Sequence, residues 1–220
     1  MDMQDITRRV SDAGLTVRGA FHPASGDEAA DGIETIVLLG DVAGRIWPVF
    51  DAGRREEPDP LDNWTRRVVA GLAAQLGAET AYPFDGPPFL PFQRWAMRAE
   101  VLKPSPIGPL IHPVFGLWHS YRAALLFGER IACEPPAPVA HPCDGCADRP
   151  CLSACPVGAF AAPGDFDLDA CLGHLKSPDG TACREQGCLA RRACPVGREH
   201  AYGPDHQAFL AKGFVAAFGE

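Results

Sequence analysis

No stretch of this chain approaches the roughly 20 consecutive apolar residues that a bilayer-spanning helix requires, so no membrane segment is expected. The start, Met1-Asp2-Met3-Gln4-Asp5, lacks the basic segment and apolar core of a secretory leader. Nor is there a basic run: 28 Asp and Glu stand against 20 Lys and Arg, a formal charge of −8. Without clustered cations to displace counterions, no duplex nucleic acid is expected as a partner. These absences leave a cytoplasmic protein as the expectation. An apolar share of 46% in 220 residues allows one sizeable core and a small second unit.

What the chain does have is cysteine. Eight of its nine cysteines lie between residues 143 and 194. Clustered thiols in a reducing compartment read as metal ligands rather than disulfides, and an odd total leaves one unpaired under any disulfide scheme. The run opens Cys143-x2-Cys146-x4-Cys151-x3-Cys155-Pro156, continues through Cys171, Cys183 and Cys188, and closes at Cys194-Pro195. It resembles the bacterial ferredoxin run, in which three thiolates grip one iron–sulfur cluster and a fourth reaches across to a second. Proline after Cys155 and Cys194 has no N–H and a fixed φ, so the chain leaves each cysteine in one direction. Ala-Cys-Pro-Val-Gly occurs at 154–158 and again at 193–197, the repeat expected of two half-motifs.

That resemblance implies two 4Fe–4S clusters. By the ferredoxin crossover, the first would take Cys143, Cys146, Cys151 and Cys194, and the second Cys155, Cys171, Cys183 and Cys188. Two departures stand out: four residues separate Cys146 from Cys151, and the second half is spread with gaps of x11, x4 and x5. Zinc is the competing reading, since it also uses Cys-x2-Cys. His174 is an alternative ligand to Cys171, three residues away. Cys133, upstream of the run, reads as a buried apolar thiol. Arg184, Arg191 and Arg192 lie where they would offset cluster charge.

Ahead of the cysteines, the pattern suggests an α+β unit over 1–132, with the cluster module over 133–220 opening on the proline-rich Glu134–Pro138. Gly32–Gly40 is an apolar, β-branched run consistent with a buried strand. Asp62 is placed to cap a helix carrying Trp64, Val68, Leu72 and Leu76, with Gly77 as its left-handed terminus. A short strand is expected over Glu79–Pro83, a turn over Asp85–Pro88, a helix over Phe92–Ala99 and irregular backbone over Pro104–Pro109. Leu117–Phe127 reads as a long strand, with helix as the competing reading. Beyond Pro138 regular structure is expected to be sparse, the clusters substituting for a core.

The segment His112-Pro113-x-x-Gly116-x-Trp118 with Arg122 resembles the His-Pro-x-x-Gly segment of cobalamin-processing proteins of the methylmalonic aciduria and homocystinuria C type. Running on through Phe127-Gly128-Glu129 into the cysteine module, residues 80–195 also resemble epoxyqueuosine reductase, which joins a nitroreductase-like, cobalamin-binding α+β domain to two 4Fe–4S clusters. The resemblance implies that His112, Pro113 and Gly116 lie along a corrinoid face, with Trp118 as an apolar wall. It implies that Asp85, in Asp-Gly-Pro-Pro, is the proton donor. The lysine that follows the reductase's Gly-x-x-Gly element is replaced here by Pro109-Leu110, and its helical-repeat tRNA grip has no counterpart. Epoxyqueuosine is therefore not the expected substrate.

Two functions are carried forward. The first is an iron–sulfur oxidoreductase that takes electrons from a redox partner protein and feeds them to a cobalamin-like cofactor or corrinoid substrate. The second is a dicluster ferredoxin, an electron carrier whose acidic surface docks transiently with a partner enzyme.

Overall fold

The computed structural model describes residues 1–219. The first half of the chain folds as α1 (Met3–Asp12), β1 (Thr16–Phe21), β2 (Thr35–Val42), α2 (Ile46–Gly53), α3 (Pro60–Leu76), β3 (Glu79–Ala81) and α4 (Phe92–Glu100). There follow β4 (Lys103–Pro104), β5 (Leu110–Ile111), β6 (His119–Phe127), α5 (Pro150–Ser153), α6 (Leu168–Lys176), α7 (Thr181–Gln186), α8 (Leu189–Ala193) and α9 (Pro204–Phe218). The class is α+β. No helix among the described residues is long and apolar enough to cross a membrane.

Two compact units divide the chain. The first comprises residues 1–101 and 120–138, the second residues 102–119 and 139–220.

The first unit is built on a four-stranded sheet in the order β1-β2-β6-β3, with β1 antiparallel to β2 and β3 antiparallel to β6. All eight residues of β2 are buried, which is why it reads as a continuous apolar run and not an alternating one. Gly40 within it is required: a Cβ there would lie 1.9 Å from the Ser120 carbonyl oxygen. The register of β1 slips between Val17 and Gly19, so Arg18 is the extra residue of a bulge. Its guanidinium is buried, donating to the Asp41 carbonyl at 2.9 Å and to Glu100 Oε2 at 3.0 Å. Tyr121 donates to the same carboxylate. Burial pulls the Glu100 pKa upward, against Arg18 and Tyr121, which favour the anion.

The expected helix over the sixties is α3, and Gly77 ends it at φ 64°. Its start differs from expectation. Asp59 occupies the N-cap with Pro60 in the first turn, while Asp62 sits inside that turn and pairs with Arg122 of β6. Residues 119–127 are strand, which settles the helix alternative. Prolines 104–109 form a tight hairpin rather than wholly irregular backbone: β4 pairs with β5 through Lys103–Ile111 and Pro104–Leu110.

In the second unit, α5 to α8 are helices of four to nine residues, as a cysteine-rich module with little core would give. With α9, of 15 residues, regular structure beyond Pro138 is more extensive than the sequence led us to expect.

Candidate functional site

The second unit gathers the eight cysteines into two sets of four. Cys143, Cys146, Cys151 and Cys194 line one cavity of about 20 Å³, walled by Ser105, Pro106, Ile111, Leu117 and Val196. Cys155, Cys171, Cys183 and Cys188 line another of about 280 Å³, walled by Phe160, Phe166, Leu210 and Phe214. The partition is that of the ferredoxin crossover: Cys155 belongs with the later cysteines, and Cys194 with the earlier ones. His174 lines the second cavity beside Cys171.

Local backbone explains the grouping. Each Cys-Pro-Val-Gly ends on a left-handed glycine, Gly158 at φ 61° and Gly197 at φ 67°, so the two repeats turn alike. Arg149, at φ 40°, breaks the chain just before Pro150 opens α5 and delivers Cys151 into the buried cluster of Ile107, Ile111, Leu117, Phe160, Ala190 and Cys194. Cys188 and Cys194 stand at opposite ends of α8, one on the second cavity and the other on the first.

Electrostatics reports the same two groups. Burial pushes the Cys143 thiol up to about 11, and the neighbouring Cys194, Cys151 and Cys146 add to the effect. Cys171 is likewise pushed up to about 11, by burial and then by Cys188, Cys155 and Cys183. Four thiols around one void resist ionising together, and a bound cation would remove that resistance. Among the described residues, no three His, Cys, Asp or Glu side chains converge tightly enough to hold a single metal ion.

The residues expected along a corrinoid face have these surroundings. His112 Nδ1 accepts from the amides of Val114 at 3.0 Å and Phe115 at 3.1 Å, which fixes the ring and leaves its proton on Nε2. His112 and Pro113 are half-exposed. Gly116 bridges back to His112, and the close backbone approach it permits is to Val196, whose carbonyl oxygen would lie 1.9 Å from a Cβ at this position. Trp118 is 1% exposed, lying beneath the Arg191 guanidinium and edge to face with Tyr202. Asp85, in the first unit, is bonded through both carboxylate oxygens to Arg66, whose guanidinium lies over Tyr82 and Phe84. Cys133 is half-exposed, its sulfur 3.5 Å from His22 Nε2, with burial raising its pKa.

Sequence reasoning passed over two contributors. Helix α9 supplies Leu210, Ala211 and Phe214 to the second cavity. Its signal was present in Gly203-Pro204-Asp205 ahead of an apolar run, a proline and an acid in a helix's first turn. Ser105, on the wall of the first cavity, gave no signal beyond its flanking prolines.

No family model and no curated protein sequence matches the chain. Solved structures share its fold. An epoxyqueuosine reductase crystallised with an epoxyqueuosine-modified tRNA-Tyr stem loop aligns with a TM-score of 0.53 at 17% identity, over 98% of this chain and 75% of that one. The C. elegans B12-trafficking protein CblC aligns at 0.56 with 13% identity, over 98% and 94%. The catabolic reductive dehalogenase NpRdhA aligns at 0.53 with 14% identity, over 91% of this chain and 33% of its own. The two families that the sequence resembles therefore share this chain's fold, and at such identities the likeness is one of fold.

Proposed function

We propose that the chain is a two-cluster iron–sulfur redox protein, with Cys143, Cys146, Cys151 and Cys194 holding one 4Fe–4S cluster and Cys155, Cys171, Cys183 and Cys188 the other. The observation that carries this reading is the sorting of eight thiols into two rings of four, each around its own cavity. Thiolate is the donor that iron–sulfur clusters use. Mononuclear zinc closes with four ligands and would not account for two Cys-Pro endings that exchange partners between the sets. When bound, such clusters supply one-electron redox chemistry.

The remaining residues serve that chemistry by excluding water and fixing the ligands. Phe160, Phe166, Leu210 and Phe214 give the second cavity an apolar wall. Pro156 and Pro195 fix the exit from Cys155 and Cys194. Electrons would arrive from a one-electron carrier protein and leave to an acceptor on the α+β part, which we read as a nitroreductase-like domain of residues 1–132 ahead of a ferredoxin-type module of residues 133–220. On this reading the chain is a reductase, and we place it in the cytoplasm, where clustered thiols stay reduced.

For the acceptor, a corrinoid is favoured by the fold shared with a B12-trafficking protein. His112 and Pro113 are the half-exposed residues of the motif and would meet a flat ring, whereas Gly116 and Trp118 act behind them as packing. Asp85 would serve as a proton source once released from Arg66. A ferredoxin-like carrier that hands electrons to a partner enzyme is the second reading.

Anaerobic reconstitution with iron and sulfide counting tests the clusters: about eight irons per chain are expected, and about four would remove one cluster. Titrating cobalamin into the reduced protein tests the acceptor. A spectral change on binding or reduction is expected; an unchanged spectrum assigns the protein to the carrier reading.

A further inference from the structure

Ser105 sits between two prolines in the turn that joins β4 to β5. Its amide donates to the Pro109 carbonyl at 2.8 Å, and its carbonyl accepts from the Gly108 amide at 3.0 Å. The turn thus consumes the polar groups of its backbone. The side chain is treated differently. Ser105 is 5% exposed, and its Oγ is buried with no hydrogen-bond partner among the described residues. The same residue lines the cavity ringed by Cys143, Cys146, Cys151 and Cys194. Apart from the cysteines and Arg149, the rest of that wall, Pro106, Ile111, Leu117 and Val196 among it, carries apolar side chains. Leaving a buried hydroxyl unsatisfied costs about 1–3 kcal/mol. A site that tolerates such a group in an apolar wall is matched to an acceptor inside the cavity.

We infer that the Ser105 hydroxyl donates a hydrogen bond to the sulfur-rich group held in this cavity and raises its reduction potential. The inference rests on the two-cluster reading and adds a residue that is not a ligand. A donor aimed at sulfide or thiolate stabilises whichever state carries more negative charge, and that is the reduced one. The contact also distinguishes the two sites, because no orphaned hydroxyl lines the second cavity among the described residues.

The test is anaerobic reconstitution of the full chain as wild type, Ser105→Ala and Ser105→Thr. Iron is counted, and both midpoint potentials are read by EPR-monitored redox titration. With iron content equal, Ser105→Ala is expected to lower one potential by about 59 mV, a tenfold change in the reduced-to-oxidised ratio of a one-electron couple. The other potential should stay in place, and Ser105→Thr, which keeps the hydroxyl, should match wild type. Loss of half the iron in Ser105→Ala that Ser105→Thr restores would support the same contact, acting at assembly. Two unchanged potentials at full iron content overturn the inference and leave the two-cluster reading intact. Wild-type iron far below about eight per chain overturns that reading, and the inference with it.

Discussion

The guanidinium of Arg191 lies 4.5 Å from the centre of the Trp118 ring and 4.8 Å from that of Tyr202, and its Nε donates to the Leu117 carbonyl at 3.0 Å. No carboxylate pairs with it among the described residues. In the first unit, by contrast, Arg9, Arg18, Arg66, Arg67, Arg98 and Arg122 pair with acids. In the second unit Arg184, Arg191, Arg192 and Arg198 donate to backbone carbonyls. A carbonyl orients a guanidinium without cancelling its charge. The positive charge is thus kept in hand near eight thiols.

Arg191→Gln should therefore lower the potential of the centre in the second cavity, which Arg191 lines. It should also lower the melting temperature, since a stacked cation contributes about 0.5–2 kcal/mol. Arg191→Lys should recover the charge effect but not the stability, because an ammonium cannot stack and fork together. Redox titration beside thermal unfolding separates the two effects.

The crossover is open to a pairing test. Cys155→Ala and Cys171→Ala should each reduce iron from about eight to about four per chain, and the double variant should lose no more. Combining Cys155→Ala with Cys151→Ala should leave almost none. If Cys155 instead groups with Cys151, the two double variants exchange outcomes.

The protein without clusters should weaken in alkali. Cys143 and Cys171 ordinarily titrate at 9.0 and are pushed up to about 11 by burial and neighbouring thiols. The folded chain then holds protons that the unfolded chain releases, so their contribution to stability is complete below about 9 and is lost as pH rises through 11. Urea midpoints of the cluster-free protein should fall across that interval. Alkylation of these thiols should be slow at pH 7 and accelerate over the same range. Loading the clusters should abolish both effects and release protons as it proceeds.

Buried charge in the first unit gives a sharper stability prediction. Arg18→Ala leaves Glu100 buried with its cation gone, and breaking such a pair from one side costs about 3–5 kcal/mol. Arg18→Ala with Glu100→Leu should recover much of that loss. Equilibrium urea unfolding reads both, and a single variant as stable as wild type would show that Glu100 is neutral in the fold.

How much of this was legible in the sequence depended on what held each residue in place. The buried strand β2 was visible because its centre, Ile36 to Leu39, is an unbroken apolar, β-branched run ending on Gly40. The grouping of the cysteines was expected from the likeness to the ferredoxin run, and the same two sets of four line the two cavities. Asp62 misled because an acid near a helix start fits both a cap and a first-turn position, and only Pro60 and the distant Arg122 decide between them. Arg18 carried no signal, since its burial follows from a bulge and from Glu100, 82 residues away. The same holds for Gly116, whose neighbour Val196 lies across 80 residues of chain.

Gly116 provides the last test. Its φ is 55°, and an added Cβ would sit 1.9 Å from the Val196 oxygen and 2.8 Å from the Val196 carbonyl carbon. Backbone cannot yield as a flexible side-chain tip can, so Gly116→Ala must displace the Cys194-Pro195-Val196 segment. The left-handed dihedral alone costs about 1–3 kcal/mol, and the collision adds to it. Because Cys194 lies at one end of the displaced segment, the first cavity should lose its iron while the second keeps it. Gly173→Ala is the matched control: Gly173 lies within α6, nothing stands within 4 Å of its added Cβ, and alanine there should stabilise the helix by about 0.5–1 kcal/mol. Should Gly116→Ala retain full iron and wild-type stability, the pressing of Gly116 against Val196 would have no part in holding Cys194.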